Sequence, residues 1–325
     1  MRRNFIHALF ALTLSSVLAP AQAADAASFP TRPIKLIVPY APGGSADLTA
    51  RLVADALAPK LGQPVVVENR PGANGAIGTA AVAKADPDGY TLGLVVSSHV
   101  FGRALVPSLP FDPIKDFAPV TLTARTPIVL VVPATLPVRD VRELIAYARA
   151  RPEKLAFASA GNGSNVHVFG QWFSDLAGLR MAHVPYKGST AAHPDLIAGR
   201  VHMVFDSLAA VQPHIVSGKL RLLAVGGAQR VPQYPDVPTV AEAGLPGFAA
   251  ESWGAVLAPA RTPPAVIELL NREITAVLRS DKVRERLTGA GVQVVGSSPE
   301  ELARVLAGDE KRYGDLIRKM GITLD

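Results

Sequence analysis

Apolar residues along the chain fall into short blocks separated by longer, interrupted stretches. Ile34-Lys35-Leu36-Ile37-Val38 stops at Pro39 and has the length and composition of a short buried strand. The segment after Gly43-Gly44-Ser45-Ala46-Asp47 runs as a helix to Leu61, and Val65-Val66-Val67 is a second strand. A weak helix over 75–85 leads to an Asp88-Gly89 turn and a third strand over 90–96. The rhythm then repeats. A helix over 138–150 and a strand over 155–159 are followed by a break at Gly161-Asn162-Gly163. The next helix places Val166, Phe169, Phe173 and Leu176 on one face. A strand over 182–185, a helix from Lys187-Gly188-Ser189 through Gly199, and strands over 201–205 and 220–225 complete the second set. Two helices close the chain, one marked by Ile267, Leu270, Ile274, Val277 and Leu278, the other by Leu302, Val305, Leu306, Leu316, Ile317 and Met320.

Strands alternating with helices of this length predict an α/β protein. The chain has 325 residues, enough for two cores. Apolar runs over 127–133 and 253–258 read as crossings between two domains. The expected division is 28–127 plus 253–325 for one domain and 128–252 for the other, each a mostly parallel sheet flanked by helices.

The first residues follow a different logic. Arg2 and Arg3 precede an apolar stretch over 5–18, and Ala21-Gln22-Ala23 supplies small residues on either side of a spacer. This is the pattern of a secretory signal peptide over 1–23, cleaved after Ala23, and it implies a periplasmic protein. The apolar stretch is too short to span a bilayer. The chain contains no cysteine, which excludes thiol nucleophiles and cysteine metal sites. Its formal charge is +6, or +4 without Arg2 and Arg3. No cluster of basic residues interleaved with aromatics points to nucleic acid. The mild positive field favours small anions.

Three strand-to-helix junctions share one character. They are Ala41-Pro42-Gly43-Gly44-Ser45-Ala46-Asp47, Ser159-Ala160-Gly161-Asn162-Gly163-Ser164-Asn165 and Tyr186-Lys187-Gly188-Ser189-Thr190. Such junctions lie at the carboxyl ends of parallel strands, where ligands bind. Glycine permits close backbone approach, and free N–H groups at a helix start attract an anion. Any one junction is equally a turn with a helix cap; three of one type point to a shared carboxylate site. None contains arginine, and Lys187 is their only lysine. Asp206, at a strand end before Ser207, either holds a ligand ammonium or hydroxyl or caps the helix from Leu208.

Catalytic patterns are missing. There is no Gly-x-Ser-x-Gly elbow, no Walker A loop and no His-Glu-x-x-His. The run from Gly72 to Gly78 has the wrong spacing for a dinucleotide fingerprint. His167 stands three residues after Ser164, and helix capping suits it better than service as a base. A periplasmic hydrolase built on that pair is the alternative from another class. His99, His183, His193, His202 and His214 show no ligand spacing and are expected at the surface or behind the site. No metal or cofactor is expected.

Five stretches together carry a resemblance. They are Pro33-Ile34-Lys35-Leu36-Ile37-Val38-Pro39-Tyr40-Ala41-Pro42-Gly43-Gly44-Ser45-Ala46-Asp47, Val67-Glu68-Asn69-Arg70-Pro71-Gly72-Ala73-Asn74-Gly75, Ala85-Asp86-Pro87-Asp88-Gly89-Tyr90-Thr91-Leu92, Val184-Pro185-Tyr186-Lys187-Gly188-Ser189 and Pro235-Asp236-Val237-Pro238-Thr239-Val240-Ala241-Glu242-Ala243-Gly244. With these the chain resembles the Bug/TctC family, the extracytoplasmic solute receptors of tripartite tricarboxylate transporters. The resemblance implies a two-domain periplasmic binding protein of type II. It also implies a monomer that takes a di- or tricarboxylate, acidic amino acid or aromatic acid into an interdomain cleft. Its partners would be membrane permease subunits or, alternatively, a sensor protein. The residues expected to bind are Tyr40, Gly43, Gly44, Ser45, Ala46, Asp47, Ser97, Ser98, Ser159, Gly163, Ser164, His167, Tyr186, Lys187, Gly188, Ser189, Thr190 and Asp206. The chain departs from the family pattern at Ala192-His193-Pro194-Asp195, where a small or apolar pair usually precedes the aspartate. It also has Tyr40 where phenylalanine is common, and Ser97-Ser98-His99 lies in a segment that varies with ligand.

Overall fold

The computed structural model describes residues 29–324, so the leader over 1–23 and its cleavage point lie outside the described residues. The first sheet contains β1 (Ile34–Val38), β2 (Val65–Asn69), β3 (Thr91–Val96), β4 (Phe117–Thr126), β10 (Ser252–Pro259) and β11 (Gln293–Val294), in the order β11-β4-β10-β3-β1-β2. The second contains β5 (Ile128–Pro133), β8 (Val204–Ser207) and β9 (Leu220–Val225), in the order β8-β5-β9. A parallel pair, β6 (Ala156–Ser159) and β7 (Ala182–Pro185), continues it. The bonds Ala158 N–H to Met203 O (3.0 Å) and His202 N–H to Ala156 O (2.8 Å) lay β6 along the segment that leads into β8.

Ten α-helices surround these sheets among the described residues. They are α1 (Ser45–Leu61), α2 (Ala76–Ala83), α3 (Gly102–Leu105), α4 (Val141–Arg149), α5 (Asn165–Leu176), α6 (His193–Ile197), α7 (Leu208–Val216), α8 (Pro264–Arg279), α9 (Asp281–Gly289) and α10 (Pro299–Met320). The α/β reading of the sequence is therefore right. Parallel pairing holds where a helix crosses over, as in β1–α1–β2–α2–β3. The strands that carry the chain between the halves pair antiparallel. β10 does so with both β3 and β4, and β5 with both β8 and β9. The apolar runs read as crossings are themselves the interior strands β5 and β10. The passages lie just before each of them, at Pro127 and near 250–252.

β4 escapes a periodicity search because its threonines are inside. Thr121 and Thr123 are fully buried, and Thr121 Oγ1 donates to Ser297 O (2.9 Å). The helix expected over 187–199 is a 3-10 turn over Ser189–Ala192 followed by the short α6. Leu176, assigned to the buried face of α5, is 41% exposed in the helix's last turn. Trp172 takes that packing role instead, its ring centroid 4.5 Å from Phe248.

One long helix joins the halves. Tyr313 of α10 is fully buried, with its ring 4.8 Å from Phe101 beside the first sheet and 6.0 Å from Phe169 of α5. Burial pushes the Tyr313 phenol up to about 12. The same helix presents Asp309 Oδ2 to the buried indole N–H of Trp253 at 2.7 Å. This satisfies the one polar atom of a large ring buried near the start of β10.

Close packing also explains a glycine. A Cβ added at Gly170 of α5 would collide with the ring of Phe157, which is fully buried and has nowhere to move. Gly170→Ala is expected to destabilise the fold by about 1–3 kcal/mol, the range for overpacked cores, despite the gain in helix propensity. Chemical denaturation of the variant against the parent measures this.

Candidate functional site

The loop that ends β1 is tied down before it can meet a ligand. Asp47, 5% exposed, accepts from Gly43 N–H (3.0 Å), Asn69 Nδ2 (3.0 Å) and Arg51 Nε (3.1 Å). Asn69 also donates to Tyr40 O (3.1 Å). Burial works to raise the Asp47 carboxyl, but bonds from Arg51, Gly43 and Asn69 together hold it below the usual carboxylate range. Asp47 was expected to touch ligand; its oxygens are spent on the loop, and it does not line the cavity described below.

The loop delivers the start of α1 without a cap. Gly44 has extended backbone (φ −82°, ψ 174°) and no side chain to accept from the first turn. The opening N–H groups of a helix have no acceptor within it, and the dipole of this 17-residue helix adds partial positive charge there. The positive φ belongs to Gly43 (+90°), not to Gly44, where an added Cβ would meet open space.

That helix start opens into a cavity of about 450 Å³ between the two sheets. Tyr40, Gly43, Gly44, Ser45 and Ala46 line it from the first half; Ser189, Thr190 and Asp206 line it from the second. Asn165, Ser207, Thr126 and Ser252 also line it and were not among the residues expected to bind. Asn165 closes the second glycine-rich junction and Ser207 adjoins Asp206, so the junctions already pointed at both, whereas Thr126 and Ser252 carry no such signal. Asn165 Nδ2 donates to Ser252 Oγ (3.1 Å) across the passage between the sheets. No arginine or lysine lines this cavity.

The remaining expected residues frame the site. Ser97 Oγ meets Ser252 Oγ at 3.4 Å and is fully buried. Ser159 Oγ contacts His183 Nε2 (2.6 Å) and accepts from Gly161 N–H (3.1 Å). Gly188 holds a positive φ of 95° before the 3-10 turn. Tyr186 donates its hydroxyl to Asp195 (2.8 Å), and Lys187 is exposed outside the cavity.

Ser164 caps α5: its Oγ accepts His167 N–H (3.2 Å) and donates to Gly161 O (2.7 Å). His167 Nδ1 in turn accepts Gly163 N–H (3.1 Å). The side chains of Ser164 and His167 each bind backbone, so this geometry is a turn brace and not a nucleophile–base pair. On the second half, then, Ser164 and Ser207 occupy the starts of α5 and α7 with their own oxygens.

Tyr40 stands between two chambers. Its hydroxyl accepts from Val96 N–H (3.2 Å) and lies 3.5 Å from Ser98 Oγ. Beyond it is a larger cavity, about 820 Å³, lined by Ser98, Ile77, Leu105, Leu109, Phe111 and other mainly apolar residues. Asn162 of the second half also reaches its wall, and Asn74 Nδ2 donates to Gly163 O (2.7 Å) alongside. No charged side chain lines this chamber, and the uncapped start of α2 at Gly75 and Ala76 forms part of its wall.

The family is now decided. The model of the tripartite tricarboxylate transporter family receptor matches residues 49–322. The chain belongs to this receptor family. BugT of Bordetella pertussis is 42% identical over 302 residues, covering 92% of this chain and 93% of BugT. Among solved structures, Rhodopseudomonas palustris Rpa4515 with adipate superimposes with a TM-score of 0.84 at 38% identity, covering 91% of this receptor and 100% of that chain. The periplasmic binding protein BugD gives 0.82 at 33% identity, with 91% and 100% covered. The receptor thus has the two-domain fold of periplasmic binding proteins, and its relatives of known structure are binding proteins. No helix among its described residues is long and apolar enough to cross a membrane.

Of the histidines expected at the surface or behind the site, His99 and His193 are buried and His183, His202 and His214 are half-buried. His167 and His183 stack with centroids 3.7 Å apart, and Phe157 stacks against both. His99 is buried against Phe111 and Phe117, with Nε2 2.8 Å from Pro113 O. Burial pulls His99 down to about 4; burial, followed by the charge His183 would carry, does the same to His167. The folded receptor therefore disfavours protonation that the unfolded chain accepts near pH 6.5. Stability from these groups is complete above about pH 6.5 and is lost as the pH falls toward about 4. Urea midpoints are expected to drop over that interval, and His167→Phe is expected to flatten the drop.

Proposed function

We propose that this receptor works in the periplasm, captures a small carboxylate in the 450 Å³ cavity and passes it to the permease subunits of a tripartite tricarboxylate transporter. The observation that carries the reading is the contrast among helix starts. α1 opens into the cavity with no cap, whereas α5 and α7 are closed by Ser164 and Ser207. Of these three α-helix starts α1 alone is left open to an anion, through its backbone N–H groups, and the uncapped 3-10 turn at Ser189 and Thr190 faces it across the cavity. Carboxylate binding by Rpa4515, solved with adipate, supports the ligand class.

The ligand's first carboxylate sits at Gly44, Ser45 and Ala46, with Tyr40 as the floor. Ser189, Thr190 and Asp206 meet the rest of the molecule from across the cleft. The first domain is 28–127 plus 253–325 and the second is 128–252. They move about Pro127 and the residues before β10, as a hinge does around a bound ligand. The receptor acts as a monomer and carries out no chemistry on its ligand. Its mature form begins at Ala24, which intact mass of the periplasmic form measures directly.

Titration calorimetry against a panel of mono-, di- and tricarboxylates tests the reading. At least one acid is expected to bind. Gly43→Val forces a branched residue to φ +90° and is expected to abolish that binding. Lys187→Met, outside the cavity, is expected to change affinity less than about threefold, within the range of a screened surface charge. Complete loss in Lys187→Met with retention in Gly43→Val would place the anion elsewhere.

A further inference from the structure

The second-half wall of the cavity contains one ionisable pair. Asp206, at the end of β8, is 3% exposed and lines the cavity. Its Oδ1 accepts Ser207 N–H (2.7 Å), and its Oδ2 lies 2.9 Å from His193 Nε2. His193 is 5% exposed at the start of α6, its ring edge-on to His214 at 5.1 Å. Both oxygens of the carboxylate are thus held in fixed directions by donors from the protein. A carboxylate carries about four lone-pair directions. Two are used, and Asp206 shares its side of the cavity with Ser189, Thr190 and Ser207.

A buried carboxylate is tolerated only when its charge is matched and its lone pairs are filled. His193 Nε2 fills one lone pair of Oδ2 and Ser207 N–H one of Oδ1, and the acceptor capacity that remains is open to a ligand donor. With no arginine or lysine in the lining, a second ligand carboxylate here would meet Asp206 without a cation between them. A ligand hydroxyl or ammonium would instead donate to it.

We propose that His193 is a positioning residue that holds Asp206 as an acceptor facing the cleft, so that the receptor selects carboxylates bearing a hydroxyl or ammonium group away from the carboxylate seated at α1. The inference rests on the carboxylate-receptor reading above and specifies which acids satisfy it.

Calorimetry with matched acids tests it: succinate against malate and aspartate, glutarate against 2-hydroxyglutarate and glutamate, butanoate against 4-hydroxybutanoate. The parent protein is expected to favour the donor-bearing member of at least one pair by about tenfold or more, the scale of one buried hydrogen bond to a charged group. Asp206→Asn and His193→Leu are expected to shrink that ratio below about threefold, less than half of that hydrogen bond's free energy. His193→Gln keeps an N–H donor for Oδ2 and is expected to restore most of the preference, which a merely structural loss would not allow. Melting curves identify any variant that fails to fold, and the ratio in the remaining variants decides. If parent and variants bind both members of every pair alike, this inference is overturned while the receptor reading stands. If no acid binds the parent protein at all, the receptor reading falls and this inference with it.

Discussion

Everything at the cleft depends on where one buried carboxylate directs its oxygens. Asp47 draws together Gly43 from the loop, Asn69 from the end of β2 and Arg51 from the next turn of its own helix. Only with that loop fixed can α1 begin at Gly44 with its N–H groups bare and aimed into the space between the sheets. An anion seat made of backbone has no side-chain charge to compensate for misplacement, so its accuracy must come from behind. The ion pair is a support: Asp47 is removed from contact with the ligand so that its neighbours can make it.

The two halves share more than a passage of chain. α10 packs Tyr313 against aromatic rings from both, and Asn165, Ser252 and Ser97 form a line of polar contacts between them. Asn74, at a positive φ of 50°, reaches over to Gly163 O. Asparagine adopts this left-handed region more readily than most non-glycine residues. The loop bearing Asn74 and the loop capped by Ser164 are therefore held together in this arrangement of the halves. Any opening of the cleft must release that bond.

Much of this was legible in the sequence because its causes are local. Alternating apolar blocks identified the α/β fold, and three glycine-rich junctions pointed at the cavity from which Gly43, Gly44, Ser45, Ser189 and Thr190 look inward. What remained hidden is set by tertiary contacts. Ser164 and Asp47 carry the right chemistry for a ligand but spend it on nearby backbone, and sequence shows the group without its partner. The strand β4 hides because buried threonines interrupt its apolar pattern, whereas β5 and β10 show as apolar runs whose pairing only the fold reveals. His193 and Asp206 are 13 residues apart on different elements, and only folding makes them a pair.

The ring of Tyr40 borders two cavities at once. One side faces the bare helix start; the other faces a chamber nearly twice as large, with Ile77, Leu105, Leu109 and Phe111 in its wall. Its hydroxyl is tethered to Val96 and Ser98, so the ring cannot swing without giving up those contacts. The reach of the cleft is consequently capped by a single oxygen atom. A phenylalanine here would keep the wall and lose the latch, turning a fixed limit on ligand length into a door.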